Sequence, residues 1–412
     1  MEDIASGITF DGPPHDRGGT RDSHPKVHGK EKGILQKPIC VWPDSFTSLI
    51  LNNREYLHIS TTMIQSKQRN LNEVSLIRPI LIVLLVLYHA FAPWCGAWQP
   101  FDGFEANNVY WWIGQFAYSF MLPAFCFVSG YVWSFQRESL GKKEDIKKLI
   151  VNKFKRLYIP CIIFSILYLL VVGEISGIDR ANIINSLLSC FNGQGHLWFL
   201  PMLFWCFIYS WLLLNYMKSG KHSMVIVFFL SYLGFVKLPF QMGIALYYLL
   251  YFFLGYQFWI NKSKITTKVN HIGVSWIWIL FVTVFIIAML VLNKYIYPIY
   301  ENANTYLKIL LLCLTTSIRI LYSIVGIFAI YISAVRFTSK HELPYWLYAL
   351  NSCCMGIYIF QQFILKILYY KCNWITIFDS DYLPWIAFSL SFIISSGLTW
   401  LLRKTLVGKR IL

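Results

Sequence analysis

The feature that most constrains this chain is a series of apolar blocks, each about twenty residues long. An α-helix rises about 1.5 Å per residue, so a helix of this length crosses about 30 Å of hydrocarbon. Helices satisfy their own backbone hydrogen bonds within lipid, and the blocks lack the polar-apolar alternation of a membrane β-barrel. The pattern predicts an all-α, polytopic membrane helix bundle of about ten transmembrane helices, at about 77–97, 109–135, 157–173, 197–215, 223–238, 240–260, 271–292, 306–335, 345–370 and 382–402.

Composition agrees with this fold class. Hydrophobic residues make up 57% of the 412 residues, and charged residues make up only 14%, against about 25% in soluble domains. So few charges could not solubilise the surface of a chain of this length. We therefore predict a multi-pass protein of the cell inner (plasma) membrane, with the lipid bilayer as its surroundings.

Lysine and arginine are distributed unequally between the two sides of the predicted bundle. The loop 136–156 contains eight of them, and cytoplasmic loops collect positive charge. If successive loops are assigned alternately to the two sides of the membrane, starting from this loop as cytoplasmic, nineteen lysines and arginines lie on the inner side, including the C-terminal tail. Four lie on the outer side. We predict that both termini are cytoplasmic. The formal net charge of +16 follows mainly from this asymmetry, and we expect no nucleic-acid partner.

Residues 1–62 have a different character from the rest of the chain. They are polar, rich in Gly, Pro and His, and without helical periodicity, which predicts a disordered extension. They contain no apolar core of a signal peptide. Met63 begins a short polar lead into the first block, so an alternative is that translation starts there. The predicted domains are the N-terminal extension, 1–62, and a transmembrane domain, 63–412.

The ten cysteines show no metal-binding or redox pattern. None is spaced as CxxC, and most lie in or beside apolar blocks. Buried free cysteines usually behave as small hydrophobic residues. We predict no metal site.

Ionisable side chains within the blocks are informative, because placing them in lipid costs free energy. No Asp or Glu lies inside any block, which disfavours a proton-driven transporter. His89 and Arg319 do lie inside blocks. Arg78 and His89 are eleven residues apart, about three turns plus 20°, and so share one helix face about 16 Å apart. We expect Arg78 at the cytoplasmic edge and His89 near mid-membrane, in either a structural or a catalytic role.

Six segments resemble, in order, the acyltransferase 3 family of integral-membrane acyltransferases. The first has the family's arginine and histidine separated by ten residues. One departure is that a histidine often follows Ile-Tyr in the fifth segment, where this chain has Gln361 and Gln362. The resemblance covers about residues 70–412, and the segments are RPILIVLLVLYH (78–89), FAYSFMLPAFCFVSGYVWS (116–134), KFKRLYIPCIIF (153–164), GHLWFLPMLFW (195–205), NSCCMGIYIFQQFI (351–364) and LLRKTLVGKRIL (401–412).

The resemblance implies transfer of an acyl group, usually acetyl from acetyl-CoA, to a carbohydrate or glycolipid hydroxyl across the membrane. It implies no permanently bound cofactor. His89 would be the general base that takes the proton of the attacking hydroxyl, and a transient acyl-histidine is the competing role. Coenzyme A carries phosphate oxygens, which cations at the inner face could neutralise. The candidates for donor binding are Arg78, Lys153, Lys155, Arg156 and Arg319. For each loop lysine, the positive charge of cytoplasmic loops is the favoured explanation, and for Arg319 a structural role is equally open.

Candidate acceptor-binding residues are Trp198 and Tyr358, whose rings could stack on sugars, and His196, at the outer mouth of the fourth helix. For His196, a plain loop histidine is the favoured interpretation. Ser129 and Gly130 favour close helix packing, as small residues do in membranes. Two other functions are open at this point: a transporter or flippase of a lipid-linked glycan, and a non-catalytic assembly subunit.

Overall fold

The structure is a computed structural model, and it describes residues 71–101, 104–173, 186, 188–217, 220–269, 271–372, 378–405 and 408. The predicted extension, 1–62, lies outside the described residues. Within these ranges the chain is helical and contains no β-strand. The helices are α1 (Asn72–Ala90), α2 (Asn108–Ser134), α3 (Ile146–Lys153), α4 (Ile159–Val172), α5 (Phe199–Tyr216), α6 (Gly220–Ser231), α7 (Met242–Ile260), α8 (Lys262–Val269), α9 (Val274–Val291), α10 (Tyr297–Asn302), α11 (Thr305–Lys340), α12 (Tyr345–Tyr370) and α13 (Leu383–Leu402).

Nine helical segments in the described part of the chain are long and apolar enough to cross a membrane. They coincide with nine of the ten predicted blocks, which confirms the all-α membrane bundle. The exception is the fifth block, predicted at 223–238. It forms a shorter apolar helix, His222–Phe235, made of α6 and a 3-10 turn, Tyr232–Phe235.

This short segment nevertheless carries the chain from one end of the bundle to the other. The Asn192 side chain, just before α5, accepts a hydrogen bond from the backbone N–H of Phe240 at 2.8 Å. Gln241 Nε2 donates to the Asn192 carbonyl at 2.9 Å, immediately before α7. The starts of α5 and α7 therefore lie at the same end, and the chain must return between them. α6 and its 3-10 turn together measure about 26 Å, enough for this return.

The first two helices run antiparallel. The Tyr131 hydroxyl, late in α2, donates to Glu73 Oε1 at 2.6 Å, at the start of α1. Tyr88, late in α1, stacks on Tyr118, early in α2, with ring centroids 4.5 Å apart. We call the end that holds Glu73 and Tyr131 the basic end, because the lysine-rich loop 136–156 follows α2 there. The other end, where α1 finishes, is the far end.

A buried ion pair connects three helices at the basic end. Lys262 Nζ, in the first residue of α8, lies 2.7 Å from Glu73 Oε1. The same oxygen accepts the Tyr131 hydroxyl. Because one carboxylate binds groups from two other helices, this contact fixes the start of α1 against the end of α2 and the start of α8.

Helices α2 and α7 approach each other through two glycines. A Cβ added at Gly130 would lie 1.8 Å from the Phe252 carbonyl oxygen, and one at Gly255 would lie 1.9 Å from that of Phe127. Only glycine permits backbones to pass this closely, as small residues commonly do in membranes. The interpretation of Gly130 as a packing residue is confirmed.

Candidate functional site

His89 lies in the last turn of α1, where the chain folds back over the helix end. The helix finishes at Ala90, although the predicted block continued to 97. Proline has no backbone N–H and restricts the preceding residue, so Pro93 ends the helical run. Gly96 then adopts a positive φ of 71°, and the Trp98 N–H donates to the Ala92 carbonyl at 3.3 Å. The predicted block therefore extends past the end of the helix, and His89 lies in the last turn of α1.

The His89 ring is enclosed by polar and aromatic neighbours. Its side chain is 8% exposed. The Trp98 indole stacks on it, with centroids 5.9 Å apart and planes inclined by 14°. Gln361 Nε2 lies 2.9 Å from His89 Nδ1, and the Leu85 carbonyl, one turn earlier in α1, also hydrogen bonds the ring. The fold-back after α1 thus covers the histidine, and α12 fixes its orientation.

A second histidine lies beside the first. The ring of His196 is 6.0 Å from that of His89, in an edge-on arrangement. His196 belongs to a 3-10 turn, Gly195–Trp198, before α5 and is buried. His196 does lie in a turn between helices, but α12 covers this turn, which the interpretation as a plain loop histidine did not include. The sequence could not give this contact, since 107 residues separate the two histidines.

Two consecutive glutamines of α12 hold the two histidines. Gln361 reaches His89, as described above, and the Gln362 Oε1 atom lies against Nδ1 of His196. The same oxygen accepts the His196 backbone N–H at 2.8 Å, and His196 Nε2 lies 3.0 Å from the Ile359 carbonyl oxygen. Successive residues of a helix point about 100° apart, so neighbouring positions can reach two different partners. The two glutamines occupy the positions after Ile-Tyr at which the family often has a histidine.

The two aromatic candidates for acceptor binding are placed differently. The Tyr358 hydroxyl donates to the His196 carbonyl at 2.5 Å, so this residue belongs to the site. Trp198 lies in the same turn as His196, but its ring packs against Tyr248 of α7, with centroids 5.9 Å apart. The structure therefore brings Tyr358 to the histidines and directs the Trp198 ring toward α7.

Lys366 is a charged neighbour of the site that the sequence analysis did not identify. It is 8% exposed, and its Nζ lies 4.3 Å from the centroid of the Trp98 ring. Nζ also lies 4.7 Å from the centroid of the Tyr370 ring. A lysine inside the predicted block 345–370 was the available signal, because an ionisable residue within a membrane helix is a functional candidate by default.

The predicted donor-binding cations divide into buried and exposed residues. Arg78, in α1, is 1% exposed and lies about 16 Å before His89 along the helix. Lys153 is also buried, with Nζ 3.9 Å from the centroid of the Phe207 ring. Lys155 and Arg156 are exposed. Among these residues, Arg78 has the placement that sequence geometry predicted, on the buried face of α1 that also carries His89.

Arg319 lies inside an apolar block, yet the structure does not bury it. Its side chain is exposed on α11, and a guanidinium N–H donates to the Tyr297 hydroxyl at 3.1 Å. Tyr322 and Tyr247 are further electrostatic neighbours. The role of Arg319 in donor binding stays a prediction.

The fold-back segment, residues 91–101, contains one thiol near His89, that of Cys95, and this thiol is not suited to nucleophilic chemistry. Burial raises the pKa of Cys95 to about 12, and only the thiolate is an effective nucleophile. Its Sγ instead lies 3.9 Å from the Tyr110 carbonyl oxygen. Within the residues that the structure describes, no group of three or more His, Cys, Asp or Glu is placed to hold a metal ion.

Comparison with known proteins gives one match. A family model described as an acyltransferase domain, that of the acyltransferase 3 family, matches residues 71–404. No curated protein and no solved structure matches the chain.

Proposed function

Because the chain belongs to the acyltransferase 3 family and is a multi-pass membrane acyltransferase, we propose that it transfers an acetyl group from acetyl-CoA to a carbohydrate hydroxyl. The acceptor is a cell-surface carbohydrate or glycolipid, and the membrane is the inner (plasma) membrane. The observation that supports this most strongly is the arrangement of His89 three turns from Arg78 on α1. His89 is suited to proton transfer, and Arg78 is suited to binding a phosphate group.

The acetyl donor would approach from the basic end. Coenzyme A carries several phosphate oxygens and is made in the cytoplasm. The guanidinium of Arg78 can form charge-assisted hydrogen bonds to a phosphate. Since Arg78 and His89 lie about 16 Å apart on one helix face, the thioester at the end of the coenzyme arm could reach His89 while a phosphate stays at Arg78. Lys153, Lys155, Arg156 and Arg319 are the further candidates for the phosphates.

His89 would act as the general base. A neutral imidazole takes the proton from the acceptor hydroxyl as its oxygen attacks the thioester carbonyl carbon. The tetrahedral intermediate then expels the thiolate, the C–S bond breaks, and the imidazolium returns the proton to the leaving sulfur. The products are an acetyl ester and coenzyme A. In the competing route, the imidazole itself accepts the acetyl group before the hydroxyl attacks.

This base requires a particular tautomer of His89. Donation from Gln361 Nε2 to Nδ1 would place the ring proton on Nε2. In that orientation the buried Gln361 Oε1 has no hydrogen-bond partner within the described residues. Turning the amide lets Oε1 accept from Nδ1–H, which leaves Nε2 as the base. Gln361 is thus a positioning residue for His89.

The acceptor would meet His89 from the far end. His196 and Tyr358 border the histidine there, and their polar atoms are occupied by each other and by α12. We infer that they shape the acceptor site. Trp198 retains a role in acceptor binding only if its ring turns away from Tyr248.

One experiment tests the function as a whole. The purified protein is incubated with radiolabelled acetyl-CoA and extracted cell-envelope glycans. We expect label in the glycan fraction that hydroxylamine releases, because hydroxylamine cleaves O-acetyl esters. Glycans that stay unlabelled in the presence of folded protein would refute acetyl transfer, and movement of unlabelled glycan across vesicles would then favour a flippase.

A further inference from the structure

We propose that Lys366 is the anion-binding group of the acceptor site, and that the acceptor is a carbohydrate carrying a carboxylate or a phosphate. This inference rests on the proposed function, because it specifies the chemical class of its acceptor.

The first argument is the charge balance around Lys366. The side chain is 8% exposed, and no carboxylate in the described ranges lies within ion-pair distance of its Nζ. Two ring faces, those of Trp98 and Tyr370, are its cationic contacts. The cost of burying an ammonium exceeds what such ring contacts return. A negatively charged group on a ligand would supply the missing partner.

The second argument is position. The Trp98 indole contacts the ammonium of Lys366 and also stacks on the His89 ring. The cation and the proposed base therefore both contact one indole ring. Lys366 lies four residues before the end of α12 at the far end, whereas Arg78 lies toward the basic end. An anion at Lys366 would therefore belong to the acceptor, not to the coenzyme phosphates.

The third argument is the fixed aromatic frame. The Tyr370 hydroxyl donates to the Gln99 carbonyl at 2.7 Å, which ties α12 to the fold-back segment that carries Trp98. Trp98 is partly exposed, so its free surface can receive a sugar ring. A cation beside such a ring suits an acidic sugar better than a neutral one.

The test measures binding, which does not depend on turnover. D-glucuronate, D-glucose 1-phosphate and D-glucose are titrated into the purified protein by isothermal calorimetry. We expect wild-type protein to bind at least one anionic sugar about tenfold or more tightly than glucose. Lys366→Met, which keeps the length of the side chain, should abolish this preference and leave glucose binding unchanged. The anionic sugar that binds more tightly shows whether Lys366 prefers a carboxylate or a phosphate on the acceptor.

Two further variants serve as controls. Lys366→Arg retains the charge and should retain most of the preference. Lys294→Met removes an exposed lysine that also lies against a ring, that of Tyr295, and should change nothing.

Equal affinities for all three sugars in the wild type would overturn the inference, as would a preference that survives Lys366→Met. Acetyl transfer slowed equally for every acceptor, with binding unchanged, would assign Lys366 to the oxyanion instead. If the anion preference is present but no labelled ester forms, the proposed function fails and the anion site stands.

Discussion

Two lysines at opposite ends of the bundle have opposite surroundings. At the basic end, Lys262 Nζ lies 2.7 Å from the carboxylate of Glu73, which also accepts the Tyr131 hydroxyl. At the far end, the cationic contacts of Lys366 are the rings of Trp98 and Tyr370. Both side chains end near aromatic residues, but among the described residues only the first has an anion supplied by the protein.

The difference separates two uses of buried polar groups in one membrane protein. A charge compensated by the protein joins helices, and its removal should reduce stability. A polar group that the fold orients but does not neutralise is available to a ligand, and its removal should reduce binding or rate. Substitutions at the basic end should therefore change stability, whereas substitutions at the far end should change ligand binding or the rate of transfer.

The largest expected effect is that of His89→Ala. Loss of the general base should reduce acetyl transfer by about 10³-fold or more, while the purified protein remains folded. Turnover of acetyl-CoA and thermal unfolding are the two measurements. His271→Ala, at an exposed position, is the matched control, and a turnover close to wild type in the His89 variant would exclude it as the base.

The next effect concerns the donor. Arg78→Lys keeps a positive charge but loses the planar guanidinium, so we expect the KM for acetyl-CoA to rise about tenfold or more, with a smaller change in kcat. Arg156→Ala, at an exposed position, should raise the KM for acetyl-CoA by a smaller factor. An affinity for coenzyme A that is identical in wild-type and Arg78→Lys protein would remove Arg78 from the donor site.

Much of the fold could be predicted from the sequence, because membrane helices have a simple physical signature. Apolar length located all ten blocks, of which nine form helices long enough to span the membrane and 223–238 forms a shorter one. The contact of Asn192 with Phe240 supports a crossing by this shorter helix. The boundary of α1 was misplaced because apolar residues continue past Ala90, whereas Pro93 and Gly96 turn the backbone.

The site was predictable only in part. Arg78 and His89 share one helix, so their relation followed from helical geometry. The contact between His89 and His196 and the stacking of Trp98 on His89 depend on how distant segments fold together, which local patterns do not encode. Lys366 was recognisable as a lysine within an apolar block, but its location beside Trp98 was not.

At the basic end, Glu73→Gln should lower stability rather than rate. It removes the carboxylate charge that lies 2.7 Å from Lys262 Nζ, at an expected cost of about 1–3 kcal/mol, less than for a fully buried pair, because the lysine side chain is 27% exposed. Thermal unfolding in detergent measures this loss. The double variant Glu73→Gln, Lys262→Met should recover part of it, and a lower kcat per folded molecule with unchanged stability would contradict the comparison.

The smallest effect is expected at Gln361, which acts through His89. Gln361→Leu removes the acceptor that would hold Nδ1–H, so we expect kcat to fall about tenfold, within the range for residues that orient a functional side chain. Gln361→Glu can only accept at that position and should restore most of the rate, which a merely structural amide would not do. Ser391→Ala, which removes the hydrogen bond to the Gln361 backbone carbonyl, controls for disturbance of α12. Equal rates for the Leu and Glu variants would show that the amide does not set the His89 tautomer.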